Sequence, residues 1–239
     1  MNSFSAKISI IIPCFNEVDT IEEILKKIFE ETKKLNFLSF EIIVVDDAST
    51  DGTKKILQNL PKYFISKLLV NNKNYGKGHS LIRGIKESSG DIVLFQDADL
   101  EYDPSDYSNL LKPILSGRAD VVYGSRFLGG GEKRVLFFWH RAGNFFLTLL
   151  SNILTNLNLT DMEAGYKVFK SDLIKSIALR EQRFGIEPEI TAKLAKTHCR
   201  IYEVGVSYFG RTYDQGKKIT WKDGFSALRC IFFYNLFSK

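Results

Sequence analysis

The stretch Ile92-Val93-Leu94-Phe95-Gln96-Asp97-Ala98-Asp99-Leu100-Glu101 sets a short apolar run directly before acidic residues at alternate positions. The run reads as a buried strand. In an extended chain, residues i, i+2 and i+4 point to one side, so Asp97, Asp99 and Glu101 are expected to converge just past the strand's end. In open α/β sheets that edge is where ligands bind. Clustered carboxylates repel and are costly to desolvate unless a cation pairs with them. Hard divalent ions such as Mg²⁺ accept one or two carboxylates together with substrate phosphates. The segment therefore reads as a metal-diphosphate site, and a solvated acidic turn is the bland alternative.

Working outward, strands and helices alternate. Apolar runs at 7–13, 40–45, 65–70, 92–95 and 121–123 read as strands, and 20–35, 53–58, 78–88 and 105–116 as helices. That alternation implies parallel βαβ units and a sheet covered on both faces. After Arg126 the pattern changes. A glycine loop at 129–131 leads into a helical stretch at 135–157 rich in Phe and Leu. Asn144, Ser151, Asn152, Thr155 and Asn156 interrupt it, so it makes a poor span against the roughly 20 apolar residues a membrane requires. It reads as an amphipathic helix, packed in the core by preference or lying in a membrane interface. A strand at 201–209, a basic loop at 210–219 and a terminal amphipathic helix at 221–237 complete the expected order.

The 239 residues suit one α/β domain. Charge is uneven: residues 1–125 carry 15 Lys and Arg against 18 Asp and Glu, net −3, and residues 126–239 carry net +8. A basic second half suits an anionic partner, whether phosphate, nucleic acid or membrane surface. No nucleic-acid motif or basic-aromatic stripe accompanies it. Cys14, Cys199 and Cys230 are widely spaced and odd in number, which fits buried thiols in a reducing cytoplasm rather than disulfides or zinc. The N-terminus has no signal-peptide pattern.

Three more loops follow strands: Pro13-Cys14-Phe15-Asn16-Glu17, Asp46-Asp47-Ala48-Ser49-Thr50-Asp51-Gly52-Thr53, and Asn71-Asn72-Lys73-Asn74-Tyr75-Gly76-Lys77-Gly78. In a parallel sheet all three open at the edge that carries Asp97 and Asp99. Asn16, Glu17 and Asp47 offer polar atoms for a base and ribose. Lys77 offers charge, and its flanking glycines let backbone approach phosphate. Neither Gly-x-x-x-x-Gly-Lys-Ser/Thr nor Gly-x-Gly-x-x-Gly after the first strand is present, so this is neither a P-loop nor a dinucleotide site.

These motifs resemble the family 2 glycosyltransferases with the GT-A fold. The resemblance rests on Ile-Ile-Ile-Pro-Cys-Phe-Asn-Glu at 10–17, Val-Val-Asp-Asp-Ala-Ser-Thr-Asp-Gly-Thr at 44–53, Asn-Tyr-Gly-Lys-Gly at 74–78 and Asp97-Ala98-Asp99. Gly-Ser-Arg-Phe at 124–127, Asp-Met-Glu-Ala-Gly-Tyr-Lys at 161–167 and Gly-Arg-Thr-Tyr at 210–213 with Gly216-Lys217-Lys218 look like the dolichol-phosphate mannose synthase branch, which includes bacterial polyprenyl-phosphate glycosyltransferases. The resemblance implies a single GT-A domain over 1–239. Its mostly parallel, Rossmann-like sheet would be flanked by helices, with a C-terminal amphipathic helical segment. Residues 1–125 would bind the nucleotide-sugar and 126–239 the acceptor.

By that resemblance Pro13, Phe15, Asn16, Glu17 and Asp47 hold the nucleoside, with Lys77 and Asp97 at the nucleotide-sugar. Asp97 and Asp99 meet the diphosphate and Mg²⁺ or Mn²⁺, with Glu101 a third metal candidate where the mannose synthases often carry Gln. Arg126, Arg141, Arg211 and Lys217 are the candidates for the acceptor phosphate, and Asp97, Asp99, Arg126 and Arg211 for the catalytic set. The implied reaction moves a sugar from a UDP-sugar or GDP-mannose to a polyprenyl phosphate with inversion, by an enzyme peripheral on the cytoplasmic face of the membrane. A phosphate acceptor is already an oxyanion and calls for positioning by Arg more than for a base. The alternative is a saccharide acceptor, which calls for a carboxylate base such as Asp161 or Glu163. His79, His140 and His198 have no metal spacing and read as structural or surface residues. For Trp139, Trp221, Phe137-Phe138 and Phe145-Phe146, core packing is preferred over an interface or lipid groove.

Overall fold

The computed structural model describes residues 6–129, 132–135, 137–212, 214 and 221–238, without the side chains of Trp221 and Lys222. The expected phosphate contact at Lys217 and the expected packing of the Trp221 side chain lie outside what is described. Seven strands form one sheet: β1 (Lys7–Cys14), β2 (Ser39–Asp46), β3 (Lys67–Val70), β4 (Ile92–Phe95), β5 (Val121–Ser125), β6 (Lys167–Lys170) and β7 (Ile201–Gly205). Their order is β3-β2-β1-β4-β6-β5-β7.

The first four strands are parallel, with Cys14 beside Asp46, Asp46 beside Val70 and Ile11 beside Phe95. Each is nearly continuous in Ile, Val and Leu because helices cover both faces. One layer packs through Ile8, Ile10, Ile12 and Leu94 against α1 (Ile21–Lys34) and α4 (Tyr107–Leu115). The other packs through Ile11, Val93 and Phe95 against α3 (Lys77–Glu87) and α7 (Ile186–Ala195). The short α2 (Thr53–Asn59) and α6 (Ser171–Ser176), then α5 (Phe138–Thr155) and α8 (Trp221–Leu236), complete the described helices.

The sheet departs from the expected parallel pattern at β6. This strand is antiparallel to both neighbours, and Val168 lies between Leu94 and Val122. It is four residues long, too brief to show a period in sequence. Its direction matters for function. The loops after β1–β5 leave the sheet at one edge, and the 161–166 segment enters β6 at that same edge. The last strand also stops early, at Gly205 rather than residue 209. Neither α6 nor α7 was foreseen; α7 is buried along almost its whole length, including Glu187 and Glu189, so it lacks an amphipathic stripe.

The preference for core packing of the α5 aromatics is overturned. Phe138, Trp139 and Phe145 are 71%, 79% and 65% exposed, and Phe137, Phe146 and Ile153 are exposed too. Leu147, Leu150 and Leu154 face the second core layer instead, and Thr148 and Ser151 are the buried positions of the helix. One face of a helix can meet the sheet, and here the leucine face does. Its neighbour α8 likewise exposes Phe225 and Leu236, and Phe237 just after it is exposed. Among the described residues, no helix is long and apolar enough to cross a membrane. Cys14 and Cys230 are buried as expected, and Cys199 is partly buried.

Candidate active site

At the edge where β1–β5 end, a cleft of about 980 Å³ opens. Its walls include Pro13, Phe15, Glu17, Asp47, Lys77, Asp97, Asp99, Glu101, Arg126, Arg141 and Arg211, so most of the expected residues do come together. Asn16 stands behind them. Its Oδ1 accepts from Thr50 N at 2.8 Å, and its own N–H donates to Ser49 Oγ at 2.9 Å, which joins the first two loops.

Asp47 joins the second and third loops. Its carboxylate accepts from Asn71 Nδ2 at 2.7 Å, Tyr75 N at 3.0 Å and Gly76 N at 2.6 Å. Gly76 has φ +109°, a conformation side chains rarely adopt, and this turns its N–H toward Asp47. His79 stacks on Tyr75 with ring centroids 4.3 Å apart, a structural role as expected.

The three acidic residues gather just past the strand's end, each turned to a different partner. Asp97 Oδ1 lies 2.8 Å from Lys77 Nζ, which also lies 3.2 Å from Glu187 Oε1. Asp99 lies 3.2 Å from Arg211. Glu101 accepts from Arg211 N at 2.7 Å and from the Tyr208 hydroxyl at 2.8 Å. The cause is local: Leu100 has φ +61°, and Glu101 N donates to Asp99 Oδ1, so the chain turns and the alternation of an extended strand stops. Among the described residues, no three His, Cys, Asp or Glu side chains are grouped as a ligand set.

Two carboxylates nevertheless suit a hard cation that takes its other ligands from phosphate and water. Asp99 lies among negative charges, with Arg211 as its cationic partner. Burial, then the negative charges of Asp97 and Glu101, push its carboxyl up to about 7 against the pull of Arg211. Burial works against the charged form of Lys77, but Asp97 and Glu187 outweigh it and keep the ammonium protonated. Lys77 is thus held between two carboxylates rather than pointing at open space.

On the basic side, Arg126 is committed to Asp161. Its Nε and Nη2 donate to the two carboxylate oxygens at 2.7 Å each, its backbone N donates at 2.9 Å, and Asn144 Nδ2 adds a bond of 3.0 Å. Burial raises the Asp161 carboxyl, but Arg126 overrides it and holds the group below its usual range. Asp161 is fully buried, and its two oxygens are taken up by Arg126 and Asn144. Arg141 is exposed at the rim, its guanidinium 5.6 Å from the Phe127 ring. Arg211 reaches back to Glu17 at 3.2 Å as well as to Asp99, and so ties the 210–212 segment to the acidic residues.

Sequence reasoning missed Glu187 and Tyr208, both of which line the cleft. Glu187 sits in Gly185-Ile186-Glu187-Pro188-Glu189, which reads as an ordinary acidic helix start. Tyr208 lay inside the overextended strand. Only spatial proximity to Lys77 and Glu101 distinguishes them.

Residues 9–177 match the model of glycosyl transferase family 2. The chain is 30% identical over 228 residues to a dolichol-phosphate mannosyltransferase of Pyrococcus furiosus, covering 95% of this chain and 63% of that protein. It thus spans somewhat under two thirds of that relative's length. It is 29% identical over 220 residues to an undecaprenyl-phosphate mannosyltransferase of Micrococcus luteus, covering 87% of this chain and 85% of that one. Among solved structures it superposes on the glucosyl-3-phosphoglycerate synthase of Mycobacterium tuberculosis, crystallised with Mn²⁺, UDP and phosphoglyceric acid, with a TM-score of 0.73 at 20% identity over 97% of this chain and 79% of that one. That likeness establishes the GT-A fold: a mostly parallel seven-stranded sheet flanked by helices, as the motifs implied. With the family model covering most of its length, the chain belongs to glycosyl transferase family 2 and is a glycosyltransferase.

Proposed function

We propose that the enzyme transfers a hexosyl unit from a nucleotide-diphosphate sugar, a UDP-sugar or GDP-mannose, to a polyprenyl phosphate with inversion. The observation that carries this reading is the joining of an acidic donor centre and a basic rim to an exposed aromatic helix. Phe137, Trp139 and Arg141, at the start of α5, line the same cleft as Asp97 and Asp99. The names of the relatives from P. furiosus and M. luteus agree with it.

In this reading residues 1–125 hold the donor, and residues 126–239 form the acceptor side. Pro13, Phe15, Glu17 and Asp47 face the nucleoside, with Asn16 holding their loop. Asp97 and Asp99 would hold Mg²⁺ or Mn²⁺, which when bound supplies positive charge to the departing diphosphate. Arg211 moves from the carboxylates toward phosphate as the donor arrives. Arg141 and Arg211 position the acceptor phosphate, which attacks the anomeric carbon on the face opposite the leaving group. Arg126, fixed by Asp161, contributes positive charge to the wall. The exposed aromatics of α5 and α8 rest in the headgroup region, where amphipathic rings are favoured.

Transfer of radiolabelled sugar from UDP-glucose, UDP-N-acetylglucosamine and GDP-mannose tests this, with and without undecaprenyl phosphate and divalent metal. Lipid-extractable label that needs both additions, and is lost in Asp99→Ala, is expected. A saccharide acceptor is the second reading, and Glu163 favours it: burial and Glu187 push its carboxyl up to about 8, in the range of a general base. Label appearing in a water-soluble saccharide and never in lipid would select that reading.

A further inference from the structure

Two cleft-lining carboxylates have no part in the donor and acceptor contacts above. Glu187 is reached from Asp97 through Lys77, 2.8 Å from one and 3.2 Å from the other. Glu163 lies on the turn before β6. Lys167 clamps that turn, its buried ammonium donating to Met162 O and Ala164 O. Gly165 packs so closely on Asp97 that a Cβ there would collide with Oδ2. Glu187 is therefore one lysine away from Asp97, and Glu163 lies two residues before the glycine packed on it.

Among the described residues, one oxygen of each is left without a donor. Glu187 is 5% exposed, and its Oε2 has no hydrogen-bond partner among the described residues. The same is true of Glu163 Oε1. Buried acceptors left unpaired are costly, so most such groups in proteins find a donor. A hexose supplies several hydroxyl donors at short spacing. A hexosyl unit bonded to a diphosphate at Asp97 has to lie next to that residue. Phe184 also lines the cleft and offers an apolar surface for a sugar ring. Glu189, two residues further along α7, serves as a contrast: Arg180 N, Glu181 N and Lys193 fully engage its carboxylate.

We propose that Glu163 and Glu187 read the hydroxyl groups of the donor's hexosyl unit and so set which sugar is transferred. The assignment rests on the donor reading given under Proposed function. Lys167 and Gly165 are positioning residues that fix the turn carrying Glu163.

Calorimetry of the full chain tests this with Mn²⁺ and no acceptor present. UDP, GDP, UDP-glucose, UDP-N-acetylglucosamine and GDP-mannose are titrated into the wild-type, Glu163→Gln and Glu187→Gln enzymes. In the wild type, one nucleotide-sugar is expected to bind more tightly than its parent nucleotide. In each variant, nucleotide affinity is expected to stay within about twofold while the extra affinity from the sugar falls roughly tenfold. Because no acceptor is present, a glutamate acting only as an acceptor base would leave every value unchanged. An undiminished sugar advantage in both variants overturns the assignment and leaves the donor reading standing. An equal fall for nucleotide and nucleotide-sugar also overturns it, since the glutamates then serve only to hold Lys77. Failure of the wild type to bind any of the nucleotides removes the donor reading itself, and with it the assignment.

Discussion

Arg126 and Asp161 meet through two hydrogen bonds of 2.7 Å, with the carboxylate fully buried and the guanidinium largely so. Removing one partner strands the other charge in a desolvated place. Arg126→Ala is expected to lower unfolding stability by about 3–5 kcal/mol. The double change Arg126→Met with Asp161→Leu should lose much less. Urea denaturation followed by circular dichroism checks both, and a fully stable Arg126→Ala protein would show that the pair is not buried in solution.

Asp99 should display the opposite balance of activity and stability. Burial and its acidic neighbours disfavour its charge, so Asp99→Asn is expected to leave the metal-free protein as stable as wild type or more so. Transfer should nevertheless fall roughly 10²- to 10³-fold, the usual loss when a group stabilising transition-state charge is removed. Thermal unfolding in chelator and initial-rate assays in Mn²⁺ give the two readings. A large drop in stability without metal would contradict the crowding of charge described here.

Glu41 provides a pH-dependent tie far from the reaction. It is buried, and its carboxylate accepts from Ser9 Oγ, Ser89 N and Ser89 Oγ, joining β1 and β2 to the loop before β4. Burial alone would raise its pKa, but these bonds outweigh burial and lower it from 4.5 to about 2. A depressed carboxyl stabilises the fold above its unfolded pKa, and that contribution fades as pH falls from about 4.5 toward 2. The stability gap between wild type and Glu41→Gln should accordingly be widest near pH 7 and narrow below pH 4.5. Urea midpoints at stepwise pH measure it, and a gap independent of pH would refute the linkage.

Trp139 and Phe145 offer a test of membrane contact that spares the fold. Both are largely exposed, so changing them to Ser together should alter unfolding stability by under about 1 kcal/mol, as surface substitutions usually do. Binding to anionic vesicles should fall severalfold by sedimentation. Activity should drop with a long-chain polyprenyl phosphate in vesicles and persist with a short, water-soluble one. Equal activity on both acceptors would detach these residues from lipid recognition.

How much of this was readable in advance follows from burial. Strands β1, β2 and β4 are covered on both faces, so their sequences are apolar runs with sharp ends, and the loops after them could be placed at one edge. The nucleotide motifs sat on those loops and came together as expected. One left-handed residue, Leu100, redirects the chain between Asp99 and Glu101, and a lone non-glycine residue at positive φ leaves no mark in sequence. The aromatic side chains of α5 were assigned inward because hydrophobicity alone does not say which of two apolar faces meets the sheet. Glu187 went unseen because α7 is buried nearly all round, and its acidic first turn looked like routine capping.

The antiparallel β6 carries one more consequence. It belongs to the later part of the chain, yet it lies between β4 and β5, which belong to the earlier part. The halves that divide at residue 125 are therefore interleaved like clasped fingers. A fragment ending at 125 would leave both β4 and β5 with an open hydrogen-bonding edge, an arrangement that invites pairing with other chains. The two portions of this chain cannot be inherited, exchanged or expressed as separate modules cut at that point. Recombination that respects the fold has to move the strand together with the sheet it completes.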